Sequence, residues 1–356
     1  MQITKLEFVN FRNYPSAKFK FSNGTTIISG QNGIGKTNLL EAIMVLSYGK
    51  SPRVSLEQEL VNLNSQFARI IGHTHENDKL EVIISRKPES RRVQKTYKIN
   101  NAQKTSTDFA GRIKSVMFAP EDIRLVAGSP SRRRDYLDRL LSQVHRDYRV
   151  NLNKYNRILK QRNKFLDSIK GQIVKSLHDA QFSVWDTQLV TAGEIIQNRR
   201  NDFFKFADLR LAQISGDLYK NAFLSLNYLK SDLTLARLNG IKQRELFYGT
   251  TQIGPHRDDY DFIMNNHSHF GLKGYGSRGQ QRTGVLSLKI LEIQYIQETS
   301  KENPILLLDD IFSELDEDYR AAIKTILNGR QTLITTADIS SVPKDIKDNA
   351  QIINLS

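Results

Sequence analysis

One eight-residue stretch near the N-terminus, Gly30-Gln31-Asn32-Gly33-Ile34-Gly35-Lys36-Thr37, constrains this chain more than any other feature. It is flanked by the strand-like run Thr25 to Ser29 and by Leu39, Leu40, Ile43 and Met44, which recur at helical spacing. A strand, a glycine loop and a helix in that order bring backbone N–H groups and a helix N-terminus together around phosphate oxygens. The pattern matches a phosphate-binding loop in full. Lys36 is expected to neutralise β- and γ-phosphate charge, and the Thr37 hydroxyl to ligate Mg2+. The expectation is an α/β domain with a parallel sheet and a nucleotide at the end of one strand.

Two later motifs fit the same site. Pro304-Ile305-Leu306-Leu307-Leu308-Asp309-Asp310 is an apolar run ending in paired carboxylates. At the end of a doubly wound strand these would face the phosphates, with Asp309 serving Mg2+ and Asp310 orienting or deprotonating the attacking water. The plainer reading is an Asp capping the next helix, since Ile311 to Leu327 has helical periodicity. The second motif, Gly276-Ser277-Arg278-Gly279-Gln280-Gln281-Arg282, precedes a helix bearing Val285, Leu286, Leu288, Ile290 and Leu291. A hydroxyl, flexible glycine amides and a helix dipole there would form a second anion site. Simple N-capping by Ser277 is the alternative. Two phosphate-type sites are best explained if each chain caps its partner's nucleotide.

Charge separates the rest of the chain. The 356 residues carry 52 Lys/Arg and 38 Asp/Glu, a net of +14. Residues 122–242 hold 22 of the basic and 12 of the acidic residues, a net of +10, leaving only +4 for the other 235. A basic middle points to a polyanionic partner. There is no cysteine, so disulfides, thiolate zinc sites and cysteine nucleophiles are excluded. No window approaches the roughly 18 apolar residues of a membrane span. The N-terminus alternates like a strand and lacks the apolar core of a signal peptide, so a cytoplasmic location is expected.

The first third reads as strands around one helix. Gln2 to Phe11 and Ala17 to Ser22 look like strands, and Asn23-Gly24 is a hairpin signal between Ser22 and Thr25. Arg86 to Ile99, with Arg91, Arg92, Lys95 and Lys98, reads as a strand pair, its charge protecting a solvated edge in preference to the alternative of a DNA-facing hairpin. The middle reads as two long amphipathic helices. One carries Leu137, Leu140, Leu141, Val144, Tyr148, Leu152, Tyr155 and Leu159. The other carries Ile173, Leu177, Trp185, Leu189 and Ile196. Burial of those stripes accounts for the apolar residues and leaves the basic face for function.

Phosphate loop, Ser-Arg-Gly-Gln-Gln loop, Leu-Leu-Leu-Asp-Asp strand and the following Ser313-Glu314-Leu315-Asp316 stand in the order of the ABC-type ATPases. Within these the chain resembles the RecF family of bacterial recombination proteins. The blocks that carry the resemblance are Asn10-Phe11-Arg12-Asn13-Tyr14, Thr37-Asn38-Leu39-Leu40-Glu41-Ala42, Phe118-Ala119-Pro120-Glu121-Asp122 and Gly128-Ser129-Pro130. Further along come Arg132-Arg133-Arg134, Gly254-Pro255-His256-Arg257-Asp258-Asp259 and Ser277 to Thr283. The implied fold is an ABC-type P-loop ATPase head, a parallel sheet plus an N-terminal antiparallel sheet, with an inserted all-helical arm. The expected division is residues 1–121 and 243–356 for the head and 122–242 for the arm.

The resemblance implies an ATP-dependent, DNA-binding protein of recombinational repair that dimerises on ATP. It implies binding to duplex DNA or single-strand/double-strand junctions, RecO and RecR as partners, assistance to RecA loading, and weak DNA-dependent ATP hydrolysis used as a switch. Gly30 to Thr37 would bind ATP, Thr37 and Asp309 Mg2+, and Ser277, Gly279 and Gln280 the γ-phosphate across a dimer. Lys36 and Asp310 would act in hydrolysis, Asp316 would signal between sites, and Arg12 would approach the nucleotide. Two features depart from the wider ABC pattern, Asp310 in place of the usual Glu and Thr335-Thr336 in place of the usual His. Relative to the RecF family, Pro52 stands where His is expected. A shorter carboxylate predicts slow hydrolysis. Two rival readings remain, a P-loop enzyme such as a kinase and an ATP-switched protein-interaction module.

Overall fold

The computed structural model describes residues 1–54, 56–87, 92–170, 176–219, 223–264, 270–313 and 317–355. Arg91, Ile173 and the segment 314–316 with Asp316 lie outside them. The chain forms two compact units, Met1–Asp122 with Leu286–Ser356, and Ile123–Val285.

The first unit begins with strands β1 (Ile3–Phe11) and β2 (Tyr14–Lys20), followed by β3 (Thr25–Ser29) and helix α1 (Lys36–Tyr48). Strands β4 (Phe67–Thr74), β5 (Lys79–Arg86), β6 (Val93–Ile99), β7 (Ala102–Lys104) and β8 (Ser115–Phe118) follow. Six of these strands make an antiparallel sheet in the order β2-β1-β4-β5-β6-β7.

The hairpin expected at Asn23-Gly24 is not formed. The β1–β2 turn is instead Arg12-Asn13, closed by the Phe11–Tyr14 pair, with Asn10 and Arg12 at φ 52° and 54°. Strand β2 is mostly exposed and pairs with β1, whereas β3 is buried and enters the other sheet. Asn23-Gly24 thus carries the chain from one sheet to the next. Turn propensity marks a change of direction, and the burial of the following strand decides which sheet it joins. The basic strand pair is real, as β5–β6, but it begins at Lys79.

The second unit holds α2 (Pro130–Val144), α3 (Arg146–Ser168) and α4 (Ser176–Asp208). The first expected long helix is therefore two, broken at His145, whose φ of −115° and ψ of 109° are extended. Helices α3 and α4 run antiparallel, with Arg162 bonded to Asp186 and Asp147 to Arg199. The unit is not all-helical. Strands β9 (Leu224–Leu229), β10 (Asp259–Met264) and β11 (Phe270–Gly271) form a three-stranded sheet, with α5 (Lys242–Tyr248) between β9 and β10 in sequence. The return to the head therefore falls later than residue 243. Pairing of β10 with β9 and a Glu245–Arg162 bond of 2.6 Å hold 243–285 in this unit.

Buried charge organises that unit. Arg200, 1% exposed, donates to Asp258 and Asp138 at 2.8 Å and to Pro255 O at 2.7 Å. Asp258 also accepts from Tyr228, Gln197 and the Ser231 amide. Arg133 grips Asp259 with two nitrogens at 2.6 and 2.7 Å. Arg134 bonds Asp258 O, so of the three successive arginines only Arg132 is exposed. Buried ions survive only when paired in this way, which accounts for Arg133, Arg134 and the carboxylates of the 254–259 block.

Helix α6 (Arg278–Ser300) contains the boundary between the units. Strand β12 (Ile305–Asp309), helix α7 (Glu317–Leu327), β13 (Thr332–Thr336) and β14 (Gln351–Asn354) complete the first unit. The second sheet there is parallel, in the order β14-β3-β13-β12-β8. Helix α1, buried nearly all round, packs on strands of both sheets in one core with Phe8, Ile28, Val82 and Leu307. Among the described residues, no helix is long and apolar enough to cross a membrane.

Candidate nucleotide-binding site

Strands β3, β13 and β12 are neighbours and parallel. The loop after β3, the carboxylates after β12 and the threonines of β13 therefore come from adjacent strand ends. Residues Gly30 to Gly35 lead into α1, whose N-terminus has no side-chain cap and no acidic residue in its first turn. Its first amides are thus open to an anion. Gly35 sits at φ 116°, and a Cβ there would lie 2.7 Å from Asn13 Nδ2 and 2.8 Å from the Tyr14 hydroxyl. Only glycine fits. The Lys36 ammonium donates to Gly30 O at 2.7 Å and Gln31 O at 2.9 Å, within the loop itself.

Thr37 Oγ1 donates to Asp309 Oδ1 at 2.8 Å. Thr335 Oγ1 donates to the same oxygen at 2.7 Å. Burial pushes the Asp309 carboxyl above the ordinary aspartate range, opposed by these two hydrogen bonds. A nearby cation reverses that balance. Two hard oxygen donors so close are the kind Mg2+ takes, with phosphate and water supplying the rest. Asp310 adopts φ 51°, held by its N–H to Thr335 O at 3.1 Å and Oγ1 at 3.2 Å. The plainer reading of these carboxylates as helix caps does not describe Asp309, whose carboxylate is bonded to Thr37 and Thr335.

Arg12 takes a role that sequence reasoning missed. Its guanidinium makes a two-pronged pair with Glu41 at 2.9 and 2.8 Å, and Glu41 is fully buried. Ser51 and Arg53 complete the carboxylate's partners. Its neighbours brace the loop: Asn13 Nδ2 donates to Ile34 O at 2.8 Å, Tyr14 to Gly35 O at 3.1 Å, and Asn38 to Asn13 Oδ1 at 2.9 Å. The β1–β2 turn is therefore a clasp on the phosphate loop. Beside it lies a cavity of about 780 Å³ whose lining includes Arg12, Asn13, Asn38, Glu59, Asn62 and Arg86.

Thr335 and Thr336 divide their work, since Thr336 bonds Asp338 O at 2.8 Å instead of the carboxylate. Ser277, Gly279 and Gln280 belong to the second unit and are at least partly exposed at the start of α6. Gln280 N donates to Ser277 Oγ at 3.2 Å, and Ser277 N to Gln280 Oε1 at 2.8 Å. That is a reciprocal capping box, so the capping alternative describes what this loop does within one chain.

Parallel sheet, glycine loop and Thr–Asp pair together define an ABC-type P-loop ATPase head. Residues 2–351 match the RecF/RecN/SMC N terminal domain. The chain is 36% identical over 375 residues to the DNA replication and repair protein RecF of Ligilactobacillus salivarius (strain UCC118), covering 100% of this chain and 96% of that one. Against the same-named protein of Bacillus cereus (strain G9842) it is 36% identical over 377 residues, covering 100% and 97%. A solved structure described as the recombination mediator protein RecF-ATPrS in the RecFOR pathway superposes with a TM-score of 0.85. It is 31% identical, covering 96% of this chain and 94% of that one. The Smc head domain of Pyrococcus furiosus, at TM-score 0.52 and 16% identity over 99% of this chain and 93% of that one, shares the fold alone. The chain belongs to the RecF family, the DNA repair and recombination branch of the SMC-like ABC ATPases.

Proposed function

We propose that this protein is an ATP-switched DNA-binding factor of recombinational repair, cytoplasmic, that dimerises on ATP and acts with RecO and RecR to assist RecA loading. The observation that carries the reading is the convergence of Thr37 and Asp309, 272 positions apart, at the mouth of a complete phosphate loop. Gly30 to Thr37 hold the phosphates, and Lys36 leaves its loop carbonyls to meet the β- and γ-phosphate charge. The cavity beside the clasp takes the nucleoside. Glu41 neutralises Arg12, and the amide side chains of Asn13, Asn38 and Asn62, beside the charged Arg86 and Glu59, offer hydrogen bonds to a base.

Thr37 and Asp309 hold Mg2+, which when bound neutralises charge on the transferring phosphate. Asp310 positions the attacking water. One methylene shorter than Glu, it holds that water less closely, and turnover below about ten per second follows. In the dimer, Ser277, Gly279 and Gln280 face the partner's γ-phosphate. The capping box leaves the Ser277 hydroxyl proton for that contact. ATP stabilises the closed pair by its differential affinity for it. Closure aligns basic surface from both chains on duplex DNA, read mainly through phosphates.

The test is fluorescence anisotropy on a gapped duplex with ATP and Mg2+ or with ADP, across 50–200 mM salt. About tenfold tighter binding with ATP, within the usual range of coupling, and a steep salt dependence are expected. Affinity indifferent to both nucleotide and salt would overturn the proposal.

A further inference from the structure

The inserted unit carries more cationic charge than its fold uses, and the structure shows where part of it lies. Between Asp147 and Asp167, helix α3 has no acidic residue. Its core-facing side buries Tyr155, Ile158, Arg162 and Leu166. Arg162 is fully engaged there by Asp186, Glu245 and Thr251. Lys154, Arg157, Lys160 and Lys164 are all exposed. At about 100° per residue, Arg157, Lys160 and Lys164 fall within an arc of roughly 60°, opposite the buried side. The four cations extend over about 15 Å of helix.

The antiparallel neighbour supplies the contrast. Over residues 183–198, α4 exposes Ser183, Thr187, Gln188, Thr191 and Asn198 and carries no Lys or Arg. Its carboxylates there are Asp186, buried on Arg162, and Glu194. A surface that only needs to be soluble intersperses both signs. Here one outer face of a helical hairpin is cationic and the other nearly neutral. Among the described residues, no hydrogen bond or ion pair engages the side chains of Arg157, Lys160 or Lys164, which leaves their charge for a partner.

We propose that this ridge on α3 is the arm's contact with the duplex phosphate backbone. It rests on the DNA-binding reading above and adds to it the place of contact. Duplex DNA offers one negative charge per about 1.7 Å of axis, so a row of cations spaced three or four residues apart meets phosphate throughout its length. Long, unpaired side chains suit backbone contact, which positions without reading sequence. The buried Arg133 and Arg200 hold the unit together and take no part.

The experiment compares wild type with Arg157→Gln/Lys160→Gln/Lys164→Gln. A control, Lys20→Gln/Lys104→Gln/Lys344→Gln, removes the same charge from exposed lysines of the other unit. Binding of a fluorescein-labelled duplex is titrated with ATP and Mg2+ at several salt concentrations. The ridge variant is expected to bind about 100-fold more weakly at 0.1 M salt, with the log–log salt slope shallower by about 3. Its melting temperature and ATP-dependent mass should be those of wild type, and the control should shift affinity less than about threefold. Wild-type slope and affinity in the ridge variant, or equal losses in ridge and control, would overturn the ridge while leaving DNA binding standing. Wild type that fails to bind duplex at all would overturn both.

Discussion

Thr37 and Asp309 meet at 2.8 Å in the first unit, one from the start of the α1 helix and the other from the end of strand β12. The pair is polar, and the carboxylate is only 8% exposed. Its burial raises the cost of the charge that the proposed cation binding requires, the usual trade of stability for function.

Asp309→Asn should separate the two. The amide oxygen still accepts from Thr37 and Thr335, while the desolvated charge is gone. Mg2+-dependent ATP hydrolysis is expected to fall by roughly 100-fold or more, and stability to hold or rise by up to about 1 kcal/mol. Steady-state hydrolysis and a urea melt on the same preparation check this. Retained hydrolysis would remove Asp309 from the metal site.

Arg12→Ala leaves Glu41 buried with its main partner missing. A loss of about 3 kcal/mol in stability is expected, with weaker ATP binding as the clasp on the loop loosens. Arg12→Lys should rescue little, because a single ammonium cannot reproduce the two-pronged pair. Arg12→Ala/Glu41→Gln should recover more than half of the lost stability, read by urea denaturation. An Arg12 acting only on nucleotide would weaken ATP binding and leave the melt unchanged.

His256 sets an acid limit on the second unit. Its Nε2 is 3.1 Å from Thr251 O, which can only accept, so Nε2 carries the hydrogen and Nδ1 accepts from Tyr155 at 2.7 Å. Burial, with Arg257, Arg134 and Arg162 adding to it, lowers the imidazole from 6.5 to about 4. The fold favours the neutral ring, so this contribution is full above pH 6.5 and is lost as the pH falls through 4. Roughly 3 kcal/mol is at stake. Urea melts between pH 7 and 4 should show that decline, and His256→Gln should flatten it. An equal decline in the variant would assign the acid sensitivity elsewhere.

The candidate site is readable in the sequence where its residues are contiguous. Gly30 to Thr37 and Leu306 to Asp310 each lie on one short segment, so their spacing alone predicts strand ends facing phosphate. The clasp was hidden because its meaning lies in pairs: Arg12 is explained by Glu41, 29 positions away, and Asn13 by the Ile34 carbonyl. A backbone acceptor leaves no trace in residue type. Asn23-Gly24 misled because a turn signal does not reveal which sheet the next strand enters. The Leu224–Leu229 strand was obscured by the helical periodicity and charge around it. Likewise Arg133 and Arg134 look like surface until Asp258 and Asp259, more than a hundred residues on, are placed beside them.

In the proposed switch, ATP joins two chains through the phosphate loop of one and Ser277 of the other. Sedimentation of Asp310→Asn with and without ATP and Mg2+ tests it most directly. Asn tolerates the left-handed backbone at this position and should stall hydrolysis, so an ATP-bound dimer accumulates. The predicted result is a doubling of mass on ATP that Ser277→Arg abolishes. A monomer that persists with ATP bound would contradict the two-chain switch.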